Sequence, residues 1–177
     1  MMQMDSLTGI AIADRCKFDE VLPVEWQRAK RSGRPVSLVL VAVDSFNSFS
    51  VEYGSAAGDE CLRRIAQKLC TVGKRAGDLV ARFGETEFGL IFPEINQMGA
   101  ISLAESIRAA IAQLDIPHAH STVAPHVTVS LGVATRVPEI DTNPNELLRL
   151  AEHALSQAKR EGRDRVVLAD HLGQAAA

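Results

Sequence analysis

A short segment near the middle of the chain places carboxylates beside a glycine, between two apolar runs. Residues 81–93 have the sequence ARFGETEFGLIFP. The apolar runs Leu79–Phe83 and Phe88–Phe92 predict two strands that are joined by a tight acidic turn. Carboxylates at a hairpin tip, next to a glycine that allows close backbone approach, can bring metal ligands to a phosphate group. The sequence therefore makes Gly84–Glu87 a candidate site where backbone and metal ligands can approach a phosphate.

Two earlier segments predict the elements that lead to this hairpin. Apolar residues at helical spacing favour a helix from Asp14 to about Ser32, and Pro23 predicts a bend or a division into two segments. An almost unbroken apolar run, rich in valine, then covers Val36–Val43. Such a run is typical of a strand that is buried on both faces, so we place it at the centre of a sheet.

The rest of the chain alternates helical and strand patterns. A helix is predicted from about Ala57 to Thr71, and Asn96 is the candidate N-cap of a helix after the hairpin. The remaining elements are a strand over Val127–Ala134, a helix from Asn143 or Asn145 to about Gly162, and a strand over Val166–Leu168. This order predicts an α/β (α+β-like) domain over residues 1–170, with a central mixed sheet of about five strands flanked by helices. Residues 171–177 are expected to form a disordered tail.

Length and composition fit one ordinary globular domain. The chain has 177 residues, 46% hydrophobic and 23% charged, and a net charge of −3, which gives no reason to expect a nucleic acid or a membrane surface as partner. No apolar run approaches the roughly 20 residues that span a bilayer. Cys16, Cys61 and Cys70 lack CxxC spacing, so we expect reduced, buried thiols in a cytoplasmic compartment.

Three histidines lie in or next to the loop that Pro117 and Pro125 bound, and they raise the question of a metal site. They are His118, His120 and His126. No carboxylate or thiol stands at ligand spacing, and such histidines are more often surface residues than metal ligands. We therefore predict no metal site in this loop.

The hairpin and several further motifs together resemble the GGDEF family, the bacterial diguanylate cyclases that condense two GTP into cyclic di-GMP. The five signature positions are Gly84, Glu85, Thr86, Glu87 and Phe88. The other similar segments are Asp5–Gly9 (DxLTG), Ala42–Phe46 (D-I-D-x-F), Gly54–Asp59 (GHxxGD), Val127–Val133 (V-T-x-S-x-G-V) and Ala158–Arg163 (AKxxGR). The resemblance implies the palm-like fold of nucleotide cyclases and polymerases.

The same resemblance assigns the two metal-binding carboxylates of the family to Ala42 and Thr86. Neither a methyl group nor a neutral hydroxyl replaces a carboxylate as a magnesium ligand. Glu85 adds bulk and charge where the family has glycine, and Glu87 is expected on the opposite face from Thr86. We therefore expect no catalytic residue, no metal and no other cofactor, and we treat Ala42, Gly84, Glu85, Thr86 and Glu87 as relic positions.

Positions that recognise GTP in the family are partly kept. The resemblance places a guanine-binding asparagine at Ser50 and a guanine-binding aspartate at Asp59. Lys159 and Arg163 stand at positions that contact phosphates in the family. As an alternative, they are solvated cations at a helix C-terminus, where the helix dipole favours positive charge. Binding of GTP without turnover therefore stays open.

The segment Arg75–Asp78 stands just before the hairpin, at the offset of the family's inhibitory RxxD motif, which binds cyclic di-GMP. Arg75 offers a planar fork for a phosphate or a guanine edge, and Asp78 accepts from a guanine N–H. Arg82 retains another arginine of that neighbourhood, whereas a third family arginine falls on Ser106, two positions from Arg108. The alternative is an exposed turn whose Arg–Asp pair contributes little.

Three functions follow from this interpretation. The leading hypothesis is a degenerate GGDEF domain that binds cyclic di-GMP or GTP and passes that state to a fused or partner domain of the sensor or EAL type. The second is an active cyclase with magnesium held by Asp44, Glu85 or Glu87 as substitute ligands, and the third is an interaction scaffold that binds no nucleotide. A homodimer stays open. Because Asp5–Gly9 stands almost at the first residue, we expect the chain to be one piece of a longer protein.

Overall fold

The computed structural model describes residues 12–170, so the Asp5–Gly9 motif and the predicted tail lie outside the described residues. Five helices and five strands make up this part of the chain. They are α1 (Arg15–Ser32), β1 (Val36–Val43), α2 (Phe46–Tyr53), α3 (Ser55–Val72), β2 (Leu79–Gly84), β3 (Glu87–Pro93), α4 (Gln97–Ala112), β4 (Val129–Arg136), α5 (Pro144–Arg160) and β5 (Val166–Leu168).

The five strands form one mixed sheet in the order β2-β3-β1-β4-β5. The central strand β1 is antiparallel to both β3 and β4, and β5 is parallel to β4. Near the end of β1, Ala42 lies opposite Glu87 on one side and opposite Ser130 on the other. All eight residues of β1 are buried, which confirms the central strand and the mixed sheet expected from the sequence.

Helices cover both faces of this sheet, and alternate residues of β1 contact different layers. On one face Val41 belongs to a cluster with Ile65 of α3 and Ile107 of α4. On the other face Leu40 belongs to a cluster with Trp26 of α1, together with residues of α5. The apolar run of β1 thus has a simple cause, because both of its faces meet helices.

A glycine in β4 lets α5 lie unusually close to the sheet. A methyl group at Gly132 would overlap the carbonyl oxygen of Ala151 and would lie 2.9 Å from Cα of Leu155. Because those are backbone atoms, they cannot move aside like the end of a flexible side chain. Gly132 therefore sets the position of α5 and of its C-terminal end.

Side chains that cap the first turn mark where α1, α4 and α5 begin. Asp14 caps α1 by accepting from the backbone N–H of Lys17 at 2.8 Å, and Asn96 caps α4 as predicted. The last long helix begins after Asn143, which accepts from the backbone of Glu146. Helix α1 continues through Pro23, so the alternative of a division into two segments was wrong.

Helix α2 is an element that the sequence pattern did not predict. It spans eight residues, too few to display a helical period, and it starts after Ser45, whose backbone is left-handed with φ of 53°. It ends at Gly54, with φ of 87°, after which α3 begins at once. The left-handed positions on either side set α2 apart from β1 and from α3.

Two expectations about burial were wrong. His118 is buried rather than on the surface, with Nε2 3.1 Å from the carbonyl oxygen of Ser45 and its ring edge against Phe49. The bridge between Pro117 and His126 folds the loop onto α2 and causes this burial. Cys16 is exposed, because it lies on the outer side of the first turn of α1.

Within residues 12–170, no helix combines the length and the apolar character needed to cross a membrane.

Candidate functional site

The tip of the β2–β3 hairpin lies against the end of β1. Glu85 and Thr86 connect the two strands, and the pairing register shifts between Arg82 and Gly84. The backbone N–H of Val43 donates to the carbonyl oxygen of Thr86 at 3.1 Å. The relic positions predicted from the sequence, Ala42 and residues 84–87, therefore come together at one end of the sheet, which we call the hairpin-tip site.

A lysine from α5 engages the signature carboxylate at this site. Nζ of Lys159 lies 3.2 Å from Oε1 of Glu87, and both side chains are partly exposed. Oε2 of Glu87 faces Gly84, where an added methyl group would lie 3.5 Å away. Glu85 is exposed to solvent. The carboxylate of Glu87 thus has a cationic partner from within the chain.

Asp44 follows β1 and is buried, with only 3% of its surface exposed. Its Oδ1 accepts from the Ser130 hydroxyl at 2.6 Å. Its Oδ2 accepts from the Thr128 hydroxyl at 2.8 Å and from the backbone N–H of Asp164 at 3.1 Å. A carboxylate that is buried with three donors is satisfied in place. Asp44 therefore links β1, β4 and the turn after α5.

The side chains at the hairpin-tip site do not suit the divalent cations that bind the family's two carboxylates. Magnesium takes hard oxygen ligands at about 2.0–2.1 Å in octahedral geometry. The side chain of Ala42 has no ligand atom, and Thr86 offers only a neutral hydroxyl. Asp44 already accepts three hydrogen bonds and Glu87 is paired with Lys159, which leaves Glu85 as a single exposed carboxylate. Among residues 12–170, no group of three or more histidine, cysteine, aspartate and glutamate side chains is arranged to hold a metal ion.

The turn after α5 carries the second predicted phosphate contact. Gly162, Arg163 and Asp164 have φ angles of 120°, 65° and 45°, a run of left-handed residues. Arg163 is exposed, and Asp164 accepts from Arg108 of α4 at 3.2 Å. The hydrogen bonds of Arg108 to Glu105 and then to Asp164 raise the pKa of its guanidinium. Asp164, the neighbour of Arg163, is therefore held by Asp44, which follows β1, and by Arg108 of α4.

The predicted guanine-binding residues lie at the junction of α2 and α3. Ser50 is half-buried in α2, and Asp59 is exposed near the start of α3. Between them Gly58 comes so close that a methyl group there would lie 3.2 Å from Oγ of Ser50. The structure thus places Ser50 and the segment Gly58–Asp59 side by side.

The Arg75–Asp78 segment closes a turn at the other end of the hairpin. The guanidinium of Arg75 donates to Oδ1 of Asp78 at 2.9 Å and to the carbonyl oxygen of Pro93 at 2.6 Å. Half of the Arg75 side chain is exposed, whereas Asp78 is 3% exposed. Nη1 of Arg75 has no partner in the described part of the chain. Arg75 therefore presents one free edge to solvent.

Arg82 lies away from that turn. Its side chain is buried, and it donates through Nε to the carbonyl oxygen of Gly84 at 2.9 Å and through Nη2 to that of Glu85. Arg82 of β2 stands four positions after Asp78, a rise of about 13 Å along the strand. The structure brings Arg75 and Asp78 together but places Arg82 at the hairpin tip, where it holds the turn.

A cleft next to Arg75 contains residues that the sequence pattern did not indicate. Its volume is about 390 Å³, and α1 forms one wall with Glu25 and Arg28, while Arg75, Gly77 and Pro93 line the other. We call it the Arg75 cleft. The sequence contains one signal for this cleft, since Glu25 interrupts the apolar stripe of α1. The structure shows that Glu25 is nevertheless buried.

Comparison with known proteins gives relatives over nearly the whole chain. A family described as "Diguanylate cyclase, GGDEF domain" matches residues 2–165. The response regulator PleD of Caulobacter vibrioides is 38% identical over 163 residues, and the probable diguanylate cyclase DgcT of Escherichia coli is 33% identical over 168 residues. The match covers 92% of this chain and 35% of PleD, and 94% of this chain and 35% of DgcT. The chain therefore spans about a third of the length of these relatives.

A solved structure has the same fold as this chain. The crystal structure of the GGDEF domain of DgcB from Caulobacter crescentus, in complex with c-di-GMP, superposes with a TM-score of 0.84 at 28% identity. The superposition covers 94% of this chain and 93% of that one. Together with the match over residues 2–165, the mixed sheet and the hairpin at its edge, this leads to one conclusion: the chain belongs to the GGDEF domain family.

Proposed function

We propose that this chain is a non-catalytic GGDEF domain of cyclic di-GMP signalling, which binds cyclic di-GMP at Arg75 and Asp78 and does not synthesise it. One observation supports the loss of catalysis: Ala42 and Thr86, which the resemblance assigns to the family's two metal-binding carboxylates, meet at the hairpin tip, where Ala42 pairs with Glu87 and the N–H of Val43 donates to the carbonyl oxygen of Thr86. The neighbouring acids are poor replacements, because Asp44 already accepts three hydrogen bonds, Glu87 is paired with Lys159, and Glu85 stands alone in solvent at the turn.

The physical reason is electrostatic. Joining two nucleotides by attack on an α-phosphate concentrates negative charge, which metal ions neutralise in the family reaction. Here Lys159 pairs with Glu87 at the hairpin-tip site and Glu85 is exposed to solvent, so no group of three or more metal-ligating side chains within residues 12–170 is arranged to anchor a divalent ion. Such a site can attract phosphates, but it lacks the groups that activate them.

Ligand binding is supported by the geometry at Arg75. Its free Nη1 edge faces outward beside the Arg75 cleft, and Asp78 and Pro93 hold the rest of the guanidinium in place. Held in this way, the arginine loses little side-chain entropy on binding a phosphate or a guanine edge. That the GGDEF domain of DgcB was solved with c-di-GMP further supports this ligand. Regulation of a fused or partner domain is part of the same proposal.

Calorimetric titration with cyclic di-GMP and with GTP tests the ligand. We expect binding of cyclic di-GMP, and we expect Arg75→Ala to weaken it about 30-fold or more, since removing a charged hydrogen-bonding partner costs about 2–5 kcal/mol. Arg63→Ala is the matched control, because Arg63 also forms an exposed pair with a carboxylate three residues away, Glu60. No heat with either nucleotide would overturn this proposal and favour a scaffold that binds none.

Turnover is tested separately by incubating the protein with GTP and magnesium and following the products chromatographically. We expect no cyclic di-GMP. Steady formation that disappears in Glu85→Gln or Glu87→Gln would contradict the proposal and support a cyclase with substitute ligands.

A further inference from the structure

The loop between α4 and β4 contacts both ends of the short helix α2. At the first end, Nε2 of His118 lies 3.1 Å from the carbonyl oxygen of Ser45, the N-cap. At the second end, the backbone N–H of Ala119 donates to the hydroxyl oxygen of Tyr53 at 2.9 Å. We call residues 117–126 the His118 loop. This loop therefore bridges α2 from its N-cap to its last residue.

His118 is the buried part of this contact. It is 1% exposed, and its ring edge lies against Phe49 of α2, with ring centroids 5.4 Å apart. Because a carbonyl oxygen only accepts, Nε2 must carry the proton and donate to Ser45, which leaves Nδ1 as an acceptor. Nδ1 is buried and has no partner in the described part of the chain. An apolar side chain would fill the same space without an unpaired nitrogen, so what the imidazole adds is the bond to Ser45.

The His118 loop is itself fixed, so it provides a rigid support for α2. The backbone N–H of His118 donates to the carbonyl oxygen of Pro125 at 2.9 Å. The backbone N–H of Val127 donates to the carbonyl oxygen of Ile116 at 2.8 Å. These two bonds close the base of the loop shortly before β4 begins.

Helix α2 depends on such support, because little within the helix fixes its position. It has eight residues, its N-cap Ser45 makes no side-chain cap hydrogen bond, and among its residues only Phe49 is buried. Helices this short are not stable by themselves, so tertiary contacts set their position. Ser50 follows Phe49 directly and lies next to Gly58 of α3. A displacement of α2 would therefore move Ser50 relative to α3.

We propose that the His118 loop holds α2 in the orientation in which Ser50 contacts the base of a guanine nucleotide, and that His118 is the positioning residue. Ser50 and Asp59 are the positions that the resemblance assigns to guanine binding. His118 acts through α2, because its hydrogen bond goes to Ser45 and not to Ser50. This role concerns GTP at the junction of α2 and α3, and it goes beyond the proposed binding of cyclic di-GMP at Arg75.

The two nucleotide sites lie at opposite ends of β1, so they can be tested separately. Arg75 binds the carbonyl oxygen of Pro93, which pairs with Val36, the first residue of β1. His118 binds Ser45, two residues after the last residue of that strand. A strand of this length spans roughly 25 Å. A change at His118 should therefore affect GTP binding and leave cyclic di-GMP binding unaltered.

The test is calorimetric titration of the whole chain with GTP and with cyclic di-GMP. His118→Leu removes the donor and keeps an apolar group, and we expect it to weaken GTP binding about 5-fold, as the loss of one hydrogen bond to a neutral acceptor would. His118→Gln keeps a donor at the reach of Nε2, so it should restore most of the GTP affinity. His153→Leu is the control, since His153 is an exposed histidine of α5. All three variants should bind cyclic di-GMP like the unmodified chain.

A second variant and a second measurement keep the test decisive if His118→Leu folds poorly. Tyr53→Phe removes the acceptor of the Ala119 N–H from an exposed side chain, and it should weaken GTP binding about 2-fold. In hydrogen exchange, the amides of Phe49–Tyr53 should exchange faster in both variants, whereas those of α5 should keep their rates.

The outcomes separate this role from the proposed function. Binding of cyclic di-GMP without binding of GTP would refute the role of His118 and leave the proposed function standing. Binding of GTP alone would refute the proposed function and leave this role open to the variants. If His118→Leu and Tyr53→Phe bind GTP like the unmodified chain, the positioning role is wrong. An equal loss of both ligands in Tyr53→Phe would also refute a role that is confined to α2.

Discussion

Replacing Asp44 by asparagine removes one charge from a buried network while it preserves the shape of the side chain. The carboxylate accepts from Ser130 through one oxygen and from Thr128 and the backbone of Asp164 through the other. An amide keeps one acceptor and turns the other into a donor. Whichever way the amide is turned, its NH₂ group then faces at least one of the groups that donate to Asp44 in the parent.

The size of the effect follows from these three bonds. Hydrogen bonds to a charged group contribute about 1.5–3 kcal/mol each, and neutral ones about half as much. In its better orientation the amide nitrogen faces Ser130, whose hydroxyl can rotate to accept, while the two bonds to the other oxygen lose their charge assistance. We therefore expect a loss of about 3 kcal/mol in the free energy of unfolding, or about 6–12 °C in Tm for a domain of this size.

The assay is urea unfolding followed by circular dichroism, supported by a thermal scan. Asp141→Asn is the control, because Asp141 is an exposed aspartate in a turn. We expect Asp44→Asn to lower the urea midpoint with an unchanged slope, and Asp141→Asn to stay within about 0.5 kcal/mol of the parent.

A urea midpoint that Asp44→Asn leaves unchanged would refute this structural role of Asp44. If Asp44 served as a substitute metal ligand, magnesium would stabilise the parent, and the asparagine variant would lose that stabilisation. Equal unfolding midpoints for the parent and Asp44→Asn without metal, together with a magnesium-dependent shift in the parent alone, would replace the structural role by a ligand role.

Two further predictions concern packing and thiol chemistry. Gly132→Ala should destabilise the domain by about 3 kcal/mol or more, because the new methyl group overlaps the backbone carbonyl of Ala151. Gly77→Ala, where the methyl group would make only ordinary contacts, should stay within about 1 kcal/mol in the same urea titration, and equal midpoints for the two variants would contradict the close approach of α5. Burial raises the pKa of the Cys61 thiol from 9.0 to about 12, so at pH 8 a thiol reagent should modify exposed Cys16 rapidly and Cys61 only after unfolding, as located by mass spectrometry. Because the folded state holds the Cys61 proton more tightly, its contribution to stability is complete below about pH 9 and is lost as the pH rises towards 12.

Local patterns predicted the elements whose cause is local. Strand β1 has the predicted bounds because its apolar run meets helices on both faces. The cap at Asn96 was predicted because a side chain that bonds the backbone three residues later leaves a short-range signature. Helix α2 escaped prediction because eight residues between two left-handed positions show too little of a helical period.

At the hairpin-tip site, sequence patterns identified the positions but not the partners of the neighbouring carboxylates. The resemblance to the family assigned Ala42 and Thr86 to the positions of two carboxylates, and the pairing of β1 with β3 brings these two residues to the same end of the sheet. The partners of Asp44 and Glu87 had no such signal, because Thr128, Asp164 and Lys159 come from distant parts of the chain.

What the sequence by itself determined was which residues stand at the two positions that the resemblance assigns to metal ligands, because the presence of a carboxylate is a property of each residue type. What only the tertiary structure decided was the state of the remaining carboxylates: Asp44 satisfied by three donors, Glu87 paired with Lys159, and Glu25 buried with one oxygen free at a cleft. The physical reason is that the free energy of a charged group depends on the donors and the solvent around it. That surrounding is set by strand register and by helix docking, which bring together residues that are far apart in the chain.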